Sequence, residues 1–271
     1  MITKIIAISD IHIRNAKRMD ETREQLGKFI ERVKEIVEQN GKEETRVVIA
    51  GDLVHSKLTI ASECYMMLSW FLSELNEICK TIVIAGNHDL NMTNLERLDS
   101  LTPAFEMSKF KNVLFLDRDL GYKSGVCEDG NIVWCLYSTF DFFVGPEIGK
   151  KKKGKTYVGL FHGDLNGAKN AAGYALTGLE PKHFRDMDFV IAGHIHKNQM
   201  IESGGAKIVY CGSPIQQEMG ESVSGHGFVV WDVNERTWEL VEIPNEDYGY
   251  YKFKITSEDD IDDDNEKLLN E

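Results

Sequence analysis

The chain has no apolar run near the ~20 residues that cross a bilayer, no C-x-x-C pair, no internal repeat and no excess of positive charge. The first absence predicts a protein that does not span a membrane. The five cysteines (Cys64, Cys79, Cys127, Cys135, Cys211) are odd in number, which speaks against a disulfide framework and for a reducing, intracellular setting. The opening "MITKIIAISD" lacks a cleavable-signal layout, because its apolar run is short and an acid follows at once. The expected location is therefore inside the cell, in the cytoplasm or nucleoid, or in a nucleus. A net charge of −13 argues at first sight against a nucleic-acid partner. From Asn245 onward, however, ten acids and three bases account for −7 of it, leaving −6 for the rest. Carboxylates that sit on metal ions would also make formal charge misleading.

A phosphate-binding loop is nearly present and then missing. "GKKKKGKT", residues 149–156, fits G-x-x-x-x-G-K-[ST]. Such a loop needs a strand before it and a helix after it, so that N–H groups and a helix N-terminus converge on phosphate. "FDFFVGPEI" before it is broken by Pro146, and "TYVGLFHGD" after it reads as a strand. Nucleotide binding there is not expected. Lys150, Lys151, Lys152, Lys153 and Lys155 read either as a solvated loop or as contacts to a DNA backbone.

What is there begins with 42% hydrophobic and 10% aromatic residues in 271, enough for a sizeable core. "KIIAISD", "RVVIAGD" and "TIVIAGN" are short buried strands. Between them, residues 20–39 and 61–78 carry apolar residues at helical spacing. This β-α-β-α-β rhythm predicts parallel strands joined by helices. After about Lys111 the helices stop. "NVLFLD", "NIVWCLYS", "TYVGLFHG", "DFVIAGH", "KIVYCGS", "GFVVWDV" and "TWELVEI" follow as strands, predicting a second, mixed sheet packed on the first. Residues 1–245 are read as one domain. Residues 246–271 are read as an acidic tail or linker, or the start of a further domain.

The chemistry stands where strands stop. After "IIAIS" come Asp10 and His12, after "VVIAG" Asp52 with His55 beyond it, after "IVIAG" Asn87, His88 and Asp89, after "VGLF" His162 and Asp164, and after "FVIAG" His194 and His196. Six of the eight histidines lie in these five segments. Ligands in open α/β sheets collect at the carboxyl ends of strands. A pair of divalent cations needs a bridging carboxylate, and Asp52 on the central loop is the natural one. A mixed Asp, Asn and His set without thiolate suits Mn²⁺, Fe or Zn²⁺ better than Ca²⁺ or Mg²⁺. Such ions ready a water for in-line attack on phosphorus. His88, next to a ligand but not needed as one, suits transition-state stabilisation or protonation of the leaving oxygen. His55 reads either as a contact to the substrate phosphate or as a structural histidine behind the ligands. His183 and His226 fall outside these segments and read as structural.

The ordered motifs D-x-H, GD, GNH[DE], H and GH-x-H over residues 4–215 resemble the calcineurin-like metallophosphoesterase superfamily. Within it, "GDLVHSK" and "GHIHKNQ" followed by "IVYCGSPIQQEMGE" resemble the SbcD-type nucleases of double-strand-break repair. The Asp-Arg-Gly of protein Ser/Thr phosphatases is absent after the GD. The resemblance implies a four-layer α/β/β/α sandwich of two mixed sheets. It implies Asp10, His12, Asp52 and His196 around one metal, and Asp52, Asn87, His162 and His194 around the other. His88 and His55 match the non-ligand catalytic histidines. It further implies two Mn²⁺ ions, 3′-to-5′ exonuclease and single-strand endonuclease activity on DNA, a homodimer, and an SMC-like ATPase partner. Relatives continue into a DNA-capping domain and an ATPase-docking segment, which would only be starting near "YYKFKITSEDD". The other readings are a phosphatase or cyclic-nucleotide phosphodiesterase on the same scaffold, and a metal-free interaction scaffold. The helix at 61–78, apolar on more than one face, reads as a core helix or a dimer face. "GDLNGAKNAAGYALTG" after His162 reads as a mobile loop beside the site or a plain surface loop.

Overall fold

Apolar strands here alternate between two hydrophobic environments, and that alternation sets the layers. In a computed structural model describing residues 1–203 and 205–251, β1 (Lys4–Ile8) and β2 (Thr45–Ala50) are continuously apolar over residues 5–8 and 47–50, because both faces are covered there. Ile6, Ile8, Val47 and Ile49 face a helical layer, while Ile5, Ala7, Val48 and Ala50 face the second sheet. The helical layer is α1 (Met19–Asn40) and α2 (Ser62–Ile78). β3 (Thr81–Ile84), α3 (Thr102–Ser108), β4 (Val113–Phe115) and the short α4 (Leu116–Asp119) complete this half.

β5 (Gly125–Asp129), β6 (Ile132–Tyr137), β7 (Thr156–His162), β8 (Phe189–Gly193), β9 (Gln199–Ser203) and β10 (Ala206–Tyr210) form the second sheet, in the order β5-β6-β7-β8-β10-β9. β6, β7, β8 and β10 run parallel, with antiparallel strands at both edges. The sheets meet through Trp134, Leu160, Phe189, Ile191 and Trp231, with the Phe189 and Trp231 rings stacked at 4.2 Å. The outer face of this sheet is covered by a 3-10 turn, Pro181–Phe184, and by loops that bury Phe161, Leu165, Phe184 and Tyr210. The expected architecture of two packed mixed sheets with flanking helices is present.

Three strands expected in the second sheet belong to the first, whose order is β12-β11-β1-β2-β3-β4. β4 extends the parallel run beside β3. β11 (Gly227–Asp232) returns antiparallel to β1, and β12 (Thr237–Glu242) pairs with β11. The reason is edge protection: β1 would otherwise be an exposed sheet edge. Phe228 and Val230 go to the helical core, Val229 and Trp231 to the inter-sheet core, as in β1.

Residues 149–156 carry no helix, and Thr156 opens β7, so the phosphate-loop match is accidental. Of the tail read at 246–271, residues 252–271 lie outside the described residues. No helix among the described residues is long and apolar enough to cross a membrane.

A buried ion pair ties the two sheets. Arg46 of β2 donates from Nε (2.8 Å) and Nη2 (3.2 Å) to Asp129 of β5, with both side chains buried and Lys80 3.1 Å away. Burial opposes ionisation of Asp129, but the hydrogen bonds from Arg46 and Lys80 outweigh it and hold the carboxyl below its usual range. A depressed carboxyl stabilises the fold above the unfolded pKa of about 3.9, and that contribution is lost as pH falls below it. Asp129→Ala leaves Arg46 buried and unpaired, so it should cost about 3–5 kcal/mol in denaturant unfolding at neutral pH, and progressively less as pH falls below about 3.9.

Candidate metal centre

All parallel strands of both sheets end at one edge of the molecule, and that edge carries the chemistry. Asp10 and His12 follow β1, Asp52 follows β2, Asn87 and His88 follow β3, His162 ends β7, and His194 and His196 follow β8. These loops turn sharply. Asp10 (φ 53°), His12 (φ 50°), Asp52 (φ 54°) and His194 (φ 96°) all hold left-handed backbone, a conformation that costs a non-glycine residue about 1 kcal/mol or more. Two glycines make the crowding possible. Gly51 (φ 90°) lies against the His162 ring, and a Cβ at Gly86 would collide with Asp52 Oδ1.

The ligand atoms converge in two groups: Asp10, His12 and His196, and Asp52, His162 and His194, each within 4.8 Å. His12 Nε2 faces His196 Nε2 at 3.1 Å and Asp52 Oδ2 at 3.6 Å. His162 Nε2 lies 3.2 Å from Asp52 Oδ2 and 3.3 Å from Asn87 Oδ1, which also meets His194 Nδ1 at 2.8 Å. Asp52 therefore stands between the groups, as its expected bridging role requires. His162, Asp10 and Asp52 are buried; His194 and His196 are partly open.

The tautomers are set from outside. His162 Nδ1 donates to Ala50 O at 2.7 Å, and His196 Nδ1 donates to the Glu221 carboxylate at 2.6 Å. With Nδ1 protonated, a neutral ring turns its Nε2 lone pair inward, the arrangement that metal-binding histidines adopt. The His12 and His196 Nε2 atoms, 3.1 Å apart beside the Asp10 and Asp52 carboxylates, fit divalent cations. Burial opposes charging of His162, but the Asp52 carboxylate outweighs it and pushes the imidazole up to about 10. Burial likewise opposes ionisation of Asp52, yet His162 holds its carboxyl below the usual range.

His88 and His55 stack beside the first group, ring centroids 5.2 Å apart, and His88 lies 4.8 Å from His12. His88 donates its Nδ1 hydrogen to His55 O (2.7 Å) and its main-chain N–H to Asp52 Oδ1 (2.7 Å). Burial, then the positive charge of Arg14, push His55 down to about 4, so it is neutral near pH 7. His226 is bonded to Ser213 and Ser222 O, and His183 to Glu180 O, in keeping with structural roles.

The lysines that read as contacts to a DNA backbone are not brought to this centre. Lys150, Lys151, Lys152, Lys153 and Lys155 all precede β7, whose other end carries His162, so strand direction places them at the far edge of the sheet. Lys150 and Lys153 are exposed to solvent there. Lys152 and Lys155 pair with Glu128, and Lys151 approaches Asp188 at 3.9 Å.

Several supporting residues carried no assigned role in the sequence reading. Asp89 is fully buried and accepts N–H bonds from Asp52 (2.8 Å), Val54 (3.1 Å) and Gly86 (2.8 Å). Its position in "GNHD" was the available signal. Asp117 accepts from Ala85 N–H and Ser138 Oγ, bracing the same loop, and burial pushes it up to about 6. Gln217 donates to the carbonyls of Asp10 and Ile11, both at 3.2 Å, and Asp164 lies 3.4 Å from His194 Nε2. Asp164, His194, His196, Glu218 and Glu221 line an open cavity of about 260 Å³, with the loop at 170–172 as its far wall.

A family model described as calcineurin-like phosphoesterase matches residues 3–198. The uncharacterized protein R555 of Acanthamoeba polyphaga mimivirus is 36% identical over 265 residues, covering 94% of this chain and 19% of that protein. This chain thus spans about a fifth of that relative. Protein 244L of Invertebrate iridescent virus 6, provisionally named a phosphoesterase, is 26% identical over 222 residues, 81% of this chain and 72% of its own. Among solved structures, an archaeal phosphodiesterase shares 12% identity over 87% of this chain and 97% of its own, with a TM-score of 0.42. Zinc-bound Vps29 from Entamoeba histolytica shares 13% over 87% of this chain and 88% of its own, with a TM-score of 0.39.

Proposed function

The chain belongs to the calcineurin-like phosphoesterase family, and from that premise we propose that it is a two-metal-dependent DNA nuclease. In this reading it works as a 3′-to-5′ exonuclease and single-strand endonuclease in a repair or recombination complex. The observation that carries phosphoester hydrolysis is the convergence of two ligand groups on a shared Asp52. DNA as substrate rests on the resemblance of the His55-bearing segment after the GD and of the "GSPIQQEMGE" stretch to the SbcD-type nucleases.

Asp10, His12 and His196 with Asp52 would hold one cation, and Asp52, Asn87, His162 and His194 the other; the thiolate-free donor set favours Mn²⁺. Such ions supply Lewis-acid activation of water and neutralise charge building on phosphoryl oxygens. The chain's own contribution is positional. His162 and His196 keep their Nε2 atoms aimed inward because both Nδ1 hydrogens are engaged elsewhere. His88, held at its Nδ1 and its main-chain N–H, presents Nε2 to the leaving oxygen and, as the imidazolium, would hand it the Nε2 proton. The same reading makes the working form an intracellular homodimer that acts with an SMC-like ATPase. α2 is the candidate dimer face: Met66 is exposed, and Trp70 is capped by Arg23 of α1 at 3.4 Å.

The test offers labelled duplex and single-stranded DNA, a phosphopeptide and a cyclic nucleotide to protein loaded with Mn²⁺. DNA degradation that stops on chelation is expected, with His88→Ala slower by about 10²-fold while retaining its metal. Turnover confined to the phosphopeptide or the cyclic nucleotide would refute the nuclease.

A further inference from the structure

The loop that supplies Asp10 and His12 continues through Ile13 into Arg14 and Asn15. It is anchored on both sides of Arg14. Ile13 is fully buried and bridges in parallel to Val54. Asn15 donates to Thr59 O and accepts the Ala61 N–H, each at 2.7 Å. The Arg14 side chain is half-buried between these anchors, and its electrostatics are incomplete. Nη2 reaches Gln217 O and Oε1 only at 3.3 Å, and Nε is buried without a partner. Among the described residues Arg14 makes no ion pair, whereas Arg18, four residues on, is paired with Glu21 at 2.5 Å and bonded to Gln216 O.

A guanidinium partly removed from water, with one edge weakly bonded and no carboxylate, is suited to an incoming anion. Its location says which anion. Arg14 is two residues from His12, and its charge is felt at His55, which stacks on His88. Gln217, which touches Arg14, also supports Asp10 and donates its main-chain N–H to Glu221, the partner of His196. Arg14 is therefore built into the frame of the centre without being one of its ligands.

We propose that Arg14 binds the backbone phosphate next to the one being cleaved, on the His55 side of the metal centre, and so selects polynucleotides over esters with a single phosphate. This rests on the nuclease reading above. A guanidinium fork matches two phosphoryl oxygens at once, which an ammonium does not.

Binding and turnover test it separately. In the first arm, a fluorescent phosphorothioate oligothymidylate is titrated into Mn²⁺-loaded protein across a salt series. Arg14→Gln should weaken binding about fivefold to tenfold and lower the log K against log salt slope by about 0.7, the share of one phosphate on a single strand. Arg14→Lys should keep the slope and recover only part of the affinity. Circular dichroism and a thermal melt establish that both variants fold. Unchanged affinity and slope in folded Arg14→Gln would overturn the proposal. In the second arm, the thymidine dinucleotide, with one phosphate, is compared with the trinucleotide, with two. The loss in kcat/KM should be about fivefold greater on the trinucleotide, and equal losses would overturn the assignment to the neighbouring phosphate. A wild type that binds with an Arg14-dependent salt slope yet degrades neither the duplex nor the single-stranded DNA of the assay above would refute the nuclease reading and uphold the phosphate contact.

Discussion

Asp52→Asn should abolish hydrolysis, lowering kcat on a small phosphodiester by about 10⁴-fold or more, because groups that act as a unit fail together. The substitution keeps shape. Oδ1 can still accept the His88 N–H, now made at 2.7 Å. What is lost is the negative charge lying 3.2 Å from His162 Nε2 and 3.6 Å from His12 Nε2. Both ligand groups draw on that oxygen, so metal analysis should show impaired occupancy of the pair rather than of one ion. Because the side chain is buried beside two histidines whose charge it favours, the variant should also titrate differently. In the metal-free protein His162 loses the partner that pushes it up to about 10, and its pKa by NMR should fall. Retention of both metals with near-normal turnover would contradict the bridging role and, with it, the reading of the centre as a single unit.

Asp89→Ala should be the most damaging substitution at a position that contacts no substrate. Its carboxylate gathers N–H groups from three places: Asp52 and Val54 after β2, and Gly86 after β3. Truncation orphans three buried donors at about 1–3 kcal/mol each, a loss of roughly 3–6 kcal/mol with partial relaxation. Burial and then the Asp52 charge push Asp89 up to about 8, against the pull of those donors. Asp89→Asn discriminates a positioning role from a purely electrostatic one. With its carbonyl at the Oδ2 position it keeps the bonds from Asp52 and Gly86 and loses only the one from Val54. Stability and metal affinity should therefore fall in the order wild type, Asn, Ala, as read by thermal unfolding and by metal titration. An Asn variant as impaired as Ala would mean that charge, not the hydrogen-bond framework, is what the site requires.

The converging residues were legible because the chemistry proposed for them dictates residue types and sheet architecture dictates where they stand. Asp10, Asp52, Asn87, His162, His194 and His196 each follow or end an apolar strand, and all of them meet. The residues that aim them were harder to read. Glu221 sits 25 positions after His196 in an irregular segment, and only folding brings it to 2.6 Å. The left-handed turns at Asp10, His12, Asp52 and His194 leave no mark on composition, since these residues are present for their side chains. Sheet membership failed for β4 and β11 because a strand apolar on both faces fits either sheet, and β12 simply follows its partner β11; only the vacant flank of β1 and the parallel register beside β3 decide it. The loop from Lys150 to Lys155 was ambiguous for a related reason. A cluster of positive charge is visible in one dimension, but whether it lies at the start or the end of its strand relative to the chemistry depends on strand direction.

That polarity has a practical side. Every functional group described here is delivered at the strand exits, so the entry side, with the β5–β6 turn and the exposed Lys153–Gly154 tip, is uninvolved in the chemistry. A fluorophore, an affinity handle or an inserted module grafted at that tip would be carried by the rigid pair of sheets about a strand's length from the reacting atoms, leaving the cleft itself undisturbed.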